Sequence, residues 1–272
     1  MNTLGFIGLG NMGAAILKGF TAASQNSGSS EIVKVFGYDV FDEKKPLLEQ
    51  YGGEWLDSEC ELARKCKYLL LGVKPQSAGE VISKIAPSLN SESVIITICA
   101  GISAGFIREC AGKDVKVIQV MPNTPMMLGE GASAVSSDEK TSRTELDFAC
   151  SVIGSCSPVV EIIPAERMNE VICINGSSPA FIYTFAKCFV DYATENGING
   201  KTALNLFSQS LIGSAEMLIE SGMTPDELIS QVSSPNGTTV AGLAALQKRG
   251  FSESVKAACE SCTLRAYELS KR

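Results

Sequence analysis

Residues 4 to 163 alternate between short apolar runs and amphipathic segments, and this alternation constrains the fold more than any other feature of the chain. The apolar runs predict strands and the segments between them predict helices. Buried-type strands separated by helices indicate a parallel sheet covered on both faces, with ligand sites at the carboxyl ends of the strands. The predicted strands are Leu4–Ile7, Val33–Tyr38, Tyr68–Val73, Val94–Ile98, Val115–Val120, Ala132–Ser136 and Val159–Ile163.

The pattern changes at Pro164, because residues 165–272 show helical periodicity almost throughout. Glycine and proline residues, which typically terminate helices, divide this half into about five helices. We therefore expect an α/β protein with two domains: a Rossmann-like, doubly wound domain at 1–163 and an all-helical domain at 164–272. Several of the helices are broadly apolar, which favours a homodimer formed through the helical domain.

Composition excludes several classes of function. The formal charge of −7 and the lack of a basic patch argue against a nucleic-acid partner. The longest apolar runs, such as Tyr68–Leu71, are too short to span a bilayer. Because the sequence begins with a strand rather than a secretory segment, we expect a cytoplasmic protein without a membrane partner.

The chain has ten cysteines and no histidine. Cys99, Cys173 and Cys188 lie in apolar stretches, so we expect buried free thiols rather than disulfides. Without histidine, and with cysteine spacings unlike those of a zinc ribbon, no metal site is predicted. Catalysis must then come from hydroxyls, lysines, carboxylates, thiols or an organic cofactor.

A glycine-rich turn follows the first predicted strand and opens a helix predicted at Met12–Thr21. This placement is typical of a dinucleotide-binding loop. Gly8 permits the tight turn, Gly10 lets the backbone approach a pyrophosphate, and Gly13 allows close packing of helix and strand. The predicted cofactor contacts here are Ile7, Gly8, Gly10, Asn11, Met12 and Gly13.

Asp39, at the end of the second predicted strand, favours NADH, since a carboxylate accepts hydrogen bonds from the adenine ribose and repels a 2'-phosphate. It lies further from the glycines than usual, an excess that we attribute to a polar loop at Ser24–Ser30. A solvated turn aspartate is the alternative, and Lys44 and Lys45 suit a phosphate. Either NADH or NADPH is therefore compatible with the sequence.

Three further motifs occur in order along the chain: Gly72-Val73-Lys74-Pro75, Val120-Met121-Pro122-Asn123-Thr124-Pro125 and Ser233-Ser234-Pro235-Asn236-Gly237-Thr238-Thr239. Together they resemble the pyrroline-5-carboxylate reductase family over essentially the whole chain. Members of that family carry a similar Ser-Pro-Gly-Gly-Thr-Thr loop before a helix. The stretch Gly176-Ser177-Ser178-Pro179-Ala180-Phe181 is similar to the family's Gly-Ser-Gly-Pro-Ala-Tyr.

The resemblance implies an enzyme that reduces 1-pyrroline-5-carboxylate to L-proline with NADPH or NADH, the last step of proline biosynthesis. It also implies an active site between the cofactor and the helices of the other subunit of a dimer. Dimers of this family often assemble further, so a decameric ring is a further expectation. Carried over to this chain, cofactor contacts fall on Gly72, Val73, Lys74, Pro75, Ala100 and Asn123.

The substrate loop implied by the resemblance consists of Ser234, Asn236, Gly237, Thr238 and Thr239, with Thr239 as the catalytic residue. A loop that runs into a helix presents free amides and the positive end of a dipole, which suits a small carboxylate. The Thr239 hydroxyl would orient the ring nitrogen, while the proton comes from solvent or water. Taken alone, these residues favour a helix cap and turn over a substrate site.

Three positions depart from the family: Asn236 and Ser178 replace glycines, and Phe181 replaces a tyrosine. Asn tolerates left-handed backbone geometry, so we expect the loop to survive. Two other functions remain open. A β-hydroxyacid dehydrogenase would need a catalytic lysine, for which Lys187 is the candidate, and a non-catalytic dinucleotide sensor would not need the loop that ends at Thr239.

Overall fold

An eight-stranded, mostly parallel sheet dominates the computed structural model, which describes residues 2–26 and 33–270. The strands occur in the order β3-β2-β1-β4-β5-β6-β7-β8. All neighbouring pairs are parallel except β6 and β7, which are antiparallel. The strands are β1 Thr3–Ile7, β2 Lys34–Tyr38, β3 Glu54–Trp55, β4 Tyr68–Leu71, β5 Val94–Thr97, β6 Lys116–Met121, β7 Ala132–Ser137 and β8 Val159–Ile162.

Helices connect the strands and then form the remainder of the described chain. Those between strands are α1 Asn11–Asn26, α2 Lys45–Gln50, α3 Glu59–Lys65, α4 Pro75–Ile85, α5 Ala104–Ala111 and α6 Arg143–Gly154. After β8 come a π-helix at Ile172–Gly176 and then α7 Ser178–Glu195, α8 Gly200–Glu220, α9 Pro225–Gln231, α10 Thr238–Lys248 and α11 Phe251–Ser270. The predicted α/β architecture with a helical C-terminal part is confirmed.

Three local predictions need correction. Helix α1 continues to Asn26, so Ser24–Asn26 are helical where we predicted a polar loop, and residues 27–30 of that loop lie outside the described chain. The sequence pattern predicts a helix at Asp138–Gly154, but α6 begins only at Arg143, because Ser142 caps it and Glu145 closes a capping box. The two-residue strand β3 carries no periodic signal and was not predicted.

The central strands of the sheet are buried on both faces, as their apolar sequences predicted, whereas the edge strand β8 is largely exposed. In β4, Tyr68 and Leu70 belong to one core cluster, while Leu69 and Leu71 belong to the other. The Tyr68 ring stacks on Phe148 of α6 at a centroid distance of 4.0 Å. Alternate side chains of one strand thus fill two cores, which holds the sheet rigid beneath its loops.

The chain divides into two compact units. One comprises residues up to Ser177 together with the chain from Cys262 onward, and the other is Ser178–Ser261. Within the first unit, the Tyr267 hydroxyl donates to Glu170 at 2.7 Å, and Leu269 packs against Gly101 so closely that a Cβ there would lie 3.2 Å from it. The end of α11 is therefore part of the sheet-containing unit.

The second unit has a small aromatic centre and a large exposed apolar surface. Phe189 stacks on Phe207 at 4.2 Å, and Phe185 meets Phe189 edge-on at 4.9 Å. Large apolar side chains of α7 and α8 are exposed, among them Tyr183, Tyr192, Leu206, Ile212, Leu218 and Ile219. Such a surface is typical of an interface between subunits.

The predicted burial of the thiols is only partly correct. Cys99 and Cys173 are buried, whereas Cys188 is exposed, because nothing in the described chain covers its face of α7. Among residues 2–26 and 33–270, no helix is both long and apolar enough to cross a membrane.

Candidate cofactor and substrate sites

The predicted cofactor residues lie at or just after the carboxyl ends of neighbouring parallel strands. The glycine loop follows β1, Asp39 follows β2, Gly72 follows β4, Ala100 follows β5 and Asn123 follows β6. Since these strands are adjacent in the order β2-β1-β4-β5-β6, the five positions share one edge of the sheet. This edge is where ligands bind in doubly wound folds.

The glycine loop is packed tightly between the two strands that flank β1. The Gly8 amide donates to the Tyr38 carbonyl at 2.9 Å, and the Gly72 amide donates to Ile7 at 2.9 Å. Gly8 has a φ of 95°, and a Cβ there would lie 2.8 Å from the Gly72 carbonyl oxygen. A Cβ at Gly13 would lie 2.5 Å from the Gly8 oxygen. Only glycine fits these two positions.

Gly10 differs from the other two glycines of the loop. A Cβ built there would meet no atom within 4 Å, so packing within the protein does not require a glycine. The open space above Gly10, at the start of α1, leaves room for a pyrophosphate to approach the protein backbone.

Asp39 is buried and binds the protein's own backbone. Its Oδ2 accepts a hydrogen bond from the Leu9 amide at 2.6 Å, and its Oδ1 accepts one from the Phe41 amide at 3.0 Å. Asp39 therefore ties the end of β2 to the glycine loop. A carboxylate oxygen accepts more than one hydrogen bond, so a ribose contact at Asp39 stays a prediction.

A cavity of about 420 Å³ opens beside this loop. Its size is ordinary for a small-molecule site. Gly8, Gly10 and Asp39 contribute to its wall, and so does Lys44, whereas Lys45 pairs with Glu49 at 4.0 Å on α2. The other lining residues are Ile7, Tyr38, Val40, Phe41, Glu59, Gly72, Val73, Lys74, Ser77 and Val81.

Glu59, Ser77 and Val81 line the cavity but were not predicted from the sequence. They lie in the first turn of α3 and on α4, where the motifs gave no signal for them. Lys74 immediately precedes α4, and Pro75 occupies the first turn of that helix. The cavity walls offer the Gly10 backbone, two lysines, two carboxylates and apolar side chains, a set that fits the adenosine half of a dinucleotide.

The residues after β5 and β6 are held by specific contacts. Asn123 accepts a hydrogen bond from the Ala132 amide at 2.9 Å, and the Asn175 side chain donates to the Met121 carbonyl at 2.6 Å. Cys99, next to the exposed Ala100, donates to the Val73 carbonyl at 3.2 Å. Burial raises the pKa of the Cys99 thiol to about 11, so it is neutral near pH 7 and does not serve as a nucleophile.

The predicted substrate loop belongs to the unit Ser178–Ser261 and runs into α10. Asn236 has a φ of 61°, the left-handed conformation that asparagine tolerates. The Gly237 amide donates to the Ser234 carbonyl at 2.9 Å, which closes the turn. Gly237 is the N-cap and supplies no side chain, so in the described chain the first amides of α10, from Thr238 to Val240, are left without a capping partner.

Lys187, the lysine that a hydroxyacid dehydrogenase would need, is exposed on α7. Its ammonium forms an ion pair with Asp191 one turn later. That hydrogen bond raises the pKa of Lys187, which opposes a role as a general base.

Comparisons with known proteins match both parts of the chain. A family model described as "Pyrroline-5-carboxylate reductase dimerisation" matches residues 165–269, and one described as "NADP oxidoreductase coenzyme F420-dependent" matches residues 3–101. The pyrroline-5-carboxylate reductase of Methanosarcina acetivorans is 31% identical over 272 residues, which cover 98% of this chain and 96% of the relative. This chain belongs to the pyrroline-5-carboxylate reductase family.

Other members of the family are similar over the same length. The Escherichia coli pyrroline-5-carboxylate reductase is 31% identical, with 98% of each chain covered. The crystal structure of Plasmodium falciparum pyrroline carboxylate reductase with NADP bound superposes with a TM-score of 0.86 at 31% identity, covering 99% of this chain and 98% of the other. The family resemblance seen in the sequence motifs is thus confirmed, and the chain is an NAD(P)H-dependent oxidoreductase by family.

Proposed function

We propose that this chain reduces 1-pyrroline-5-carboxylate to L-proline, with NADPH or NADH as the hydride donor, as the last step of proline biosynthesis. The observation that carries the proposal is the Ser234–Thr239 loop, which turns at Asn236 and leaves the first amides of α10 uncapped. A non-catalytic dinucleotide sensor has no use for such a loop. Family membership over the whole chain supports the same activity.

The cofactor would be held at the edge of the sheet by the residues after β1, β2, β4, β5 and β6. The glycine loop, Ile7 to Gly13, offers backbone amides and the N-terminus of α1 to the pyrophosphate. Lys74 adds a positive charge, while Ala100 and Asn123 would flank the nicotinamide end. When bound, the cofactor supplies a hydride, which no side chain of this chain can provide.

The substrate would be bound by the loop before α10. A carboxylate suits the uncapped amides from Thr238 to Val240, since they combine free donors with the positive end of the helix. The Thr239 hydroxyl would then orient the ring nitrogen of the imine for reduction at the adjacent carbon. Because a threonine hydroxyl is a weak acid, the proton on that nitrogen comes from water.

We also propose the wider assignments that accompany this activity. Residues 1–163 would bind the dinucleotide, and residues 164–272 would bind substrate and form a homodimer, an assignment supported by the dimerisation model over 165–269. A decameric ring of such dimers and a cytoplasmic location are further parts of the proposal. The broad exposed apolar surface of α7 and α8 supports the dimer.

The test is oxidation of NADH and NADPH by the purified protein given 1-pyrroline-5-carboxylate. Thr239→Val keeps the shape of the side chain and removes the hydroxyl, so kcat/KM should fall by about 10²-fold or more. Thr239→Ser keeps the hydroxyl and should retain most of the activity. An absence of turnover with either cofactor, or full activity in the valine variant, would contradict the proposal.

A further inference from the structure

A π-helical turn at Ile172–Gly176 lies at the end of the sheet-containing unit, directly before α7. The Ser177 amide donates to the Ile172 carbonyl at 2.8 Å, which closes a turn one residue wider than that of an α-helix. Such turns are rare, and many of the known ones occur at functional sites. The side chains that this turn directs at the sheet are therefore candidates for a role in the reaction.

The turn contributes one polar side chain to the end of β6. Asn175 is only 8% exposed, and its Nδ2 donates to the Met121 carbonyl at 2.6 Å. The register of β6 with β5 ends at Gln119, so the last two residues of β6 pair with β7 alone. Asn175 thus adds a hydrogen bond where the sheet supports β6 from one side only.

The turn also holds the side chain of Met121. A Cβ at Gly176 would lie only 3.2 Å from the Met121 Sδ. Met121 belongs to a small core cluster, which Ile172 of the turn also contacts. The π-helical turn therefore fixes both the carbonyl and the side chain of the last residue of β6.

Two features pass this restraint on to Asn123. Pro122 has a fixed φ and keeps the residue before it extended, so it is a short rigid link after Met121. Asn123 is extended as well, and its Oδ1 accepts a hydrogen bond from the Ala132 amide at 2.9 Å. A shift of the Met121 carbonyl would therefore displace Asn123 with it, because the link between them has little freedom to absorb the shift.

We propose that Asn175 is a positioning residue for hydride transfer, because its hydrogen bond to Met121 fixes Asn123 against the nicotinamide end of the cofactor. This role rests on the proposed function, in which Asn123 flanks the nicotinamide. Reacting atoms must lie about 3–3.5 Å apart, and a misplacement of about 1 Å costs on the order of 10²-fold in rate. Asn175 acts through the backbone of β6 and touches neither substrate nor cofactor.

Asn175→Asp tests this role, since aspartate has the same shape but its carboxylate presents an acceptor to the Met121 carbonyl. The variant should bind NADH with native affinity, because the glycine loop that would hold the pyrophosphate is untouched. The fluorescence emission of bound NADH, measured without substrate, should change because the nicotinamide has moved. With 1-pyrroline-5-carboxylate, kcat should fall about tenfold or more. The isotope effect of NADH deuterated at the transferred position should rise, because hydride transfer becomes the slow step.

Cys173→Ser is the matched control. Cys173 is buried in the same turn, but its thiol donates to the Glu170 carbonyl, as a serine hydroxyl also can. This variant should leave the emission of bound NADH and kcat unchanged. Asn175→Ala removes the same donor without burying a charge, so it replaces the aspartate variant if that variant does not fold. Thermal unfolding gives the folded fraction of each variant, so that kcat is compared per folded molecule.

Two results would overturn the role of Asn175. In one, a folded Asn175 variant retains the native NADH emission and kcat. In the other, the affinity for NADH falls as much as kcat, which would make Asn175 a support of the whole cofactor site. A native protein that binds NADH without reducing 1-pyrroline-5-carboxylate would reject the proposed function separately. The emission of NADH bound to Asn175→Asp then decides the role of Asn175, which a changed spectrum supports and a native spectrum rejects.

Discussion

Both carboxylate oxygens of Asp39 accept hydrogen bonds from backbone amides. No sequence motif predicts this structural role. Leu9 lies thirty positions away in the sequence, and its amide is 2.6 Å from Oδ2. Asparagine at this position would keep the shape but turn a donor toward one of the two amides. The loop would then lose one charge-assisted hydrogen bond and bury an unsatisfied group.

We therefore expect Asp39→Asn to lower the free energy of unfolding by about 1–3 kcal/mol, and to weaken cofactor binding as a consequence. Urea unfolding of the protein without cofactor measures the first effect. Asp42→Asn, at an exposed neighbouring position, should be neutral. Unchanged stability together with weaker NADH binding would instead mean that Asp39 serves only the ribose.

Glu145 provides a second prediction at the scale of one residue. It accepts hydrogen bonds from the Lys116 ammonium at 2.9 Å and from the Ser142 amide at 2.9 Å, and its side chain is 4% exposed. Burial raises the pKa of Glu145, but the hydrogen bonds from Lys116 and Ser142 outweigh it and lower the pKa from 4.5 to about 2. The charged form is thus favoured in the folded state.

A carboxyl whose pKa is lower in the folded state stabilises the protein above its unfolded pKa. That contribution disappears as the pH falls from 4.5 toward 2, and for this shift it is on the order of 3 kcal/mol. Urea unfolding at about pH 7 and about pH 3 should therefore show a larger loss in the native protein than in Glu145→Gln. Equal losses would show that the ion pair contributes no pH dependence.

At the scale of elements, the strand–loop–helix unit from β1 to α1 separates two uses of glycine. A Cβ at Gly13 would lie 2.5 Å from the Gly8 oxygen, whereas one at Gly10 would meet nothing within 4 Å. Gly13→Ala should therefore destabilise the fold by about 1–3 kcal/mol. Gly10→Ala should fold normally but bind NADH about tenfold or more weakly, since its methyl group would occupy the path of the pyrophosphate.

Thermal unfolding and NADH fluorescence, measured on both variants, separate these effects. Equal loss of stability in the two variants would show that the loop is rearranged in solution. Equal NADH affinity in Gly10→Ala and the native protein would place the pyrophosphate elsewhere.

The elements themselves could largely be predicted from the sequence, because long apolar runs and glycine turns are local signals. Strand β3 could not, since two residues, Glu54 and Trp55, carry no period. The antiparallel direction of β7 could not either, because an apolar run does not encode its partner. The contacts of Asp39, Glu59 and Asn123 depend on neighbours brought together only by the fold. Motifs could therefore select residues that share one edge of the sheet, but they could not predict the hydrogen bonds that shape this edge.

At the scale of the whole molecule, the exposed apolar surface of α7 and α8 predicts that assembly depends on the helical unit. Leu206 is 67% exposed on α8 in the isolated chain. In a two-fold interface a single substitution appears twice, so Leu206→Glu would bring two charges onto an apolar contact. We expect this variant to shift toward monomers in analytical ultracentrifugation and to lose activity in parallel.

Lys201→Glu, at the exposed start of the same helix, is the control and should assemble normally. A Leu206→Glu protein of native mass would show that this part of α8 faces solvent in the assembly. The dimer would then have to use other members of the exposed apolar set.

The compact unit that contains the sheet is assembled from both ends of the chain, since Leu269 packs on Gly101 and Tyr267 binds Glu170. On the ribosome, the strands are translated first, but the segment from Cys262 that completes their unit is translated only after the helical unit Ser178–Ser261. A nascent chain therefore carries a nearly finished nucleotide-binding unit that lacks its final piece throughout synthesis of the helical unit. Domain-by-domain folding during translation is the usual order, and here the first unit would be completed only after the helical unit has been synthesised and the segment from Cys262 has left the exit tunnel.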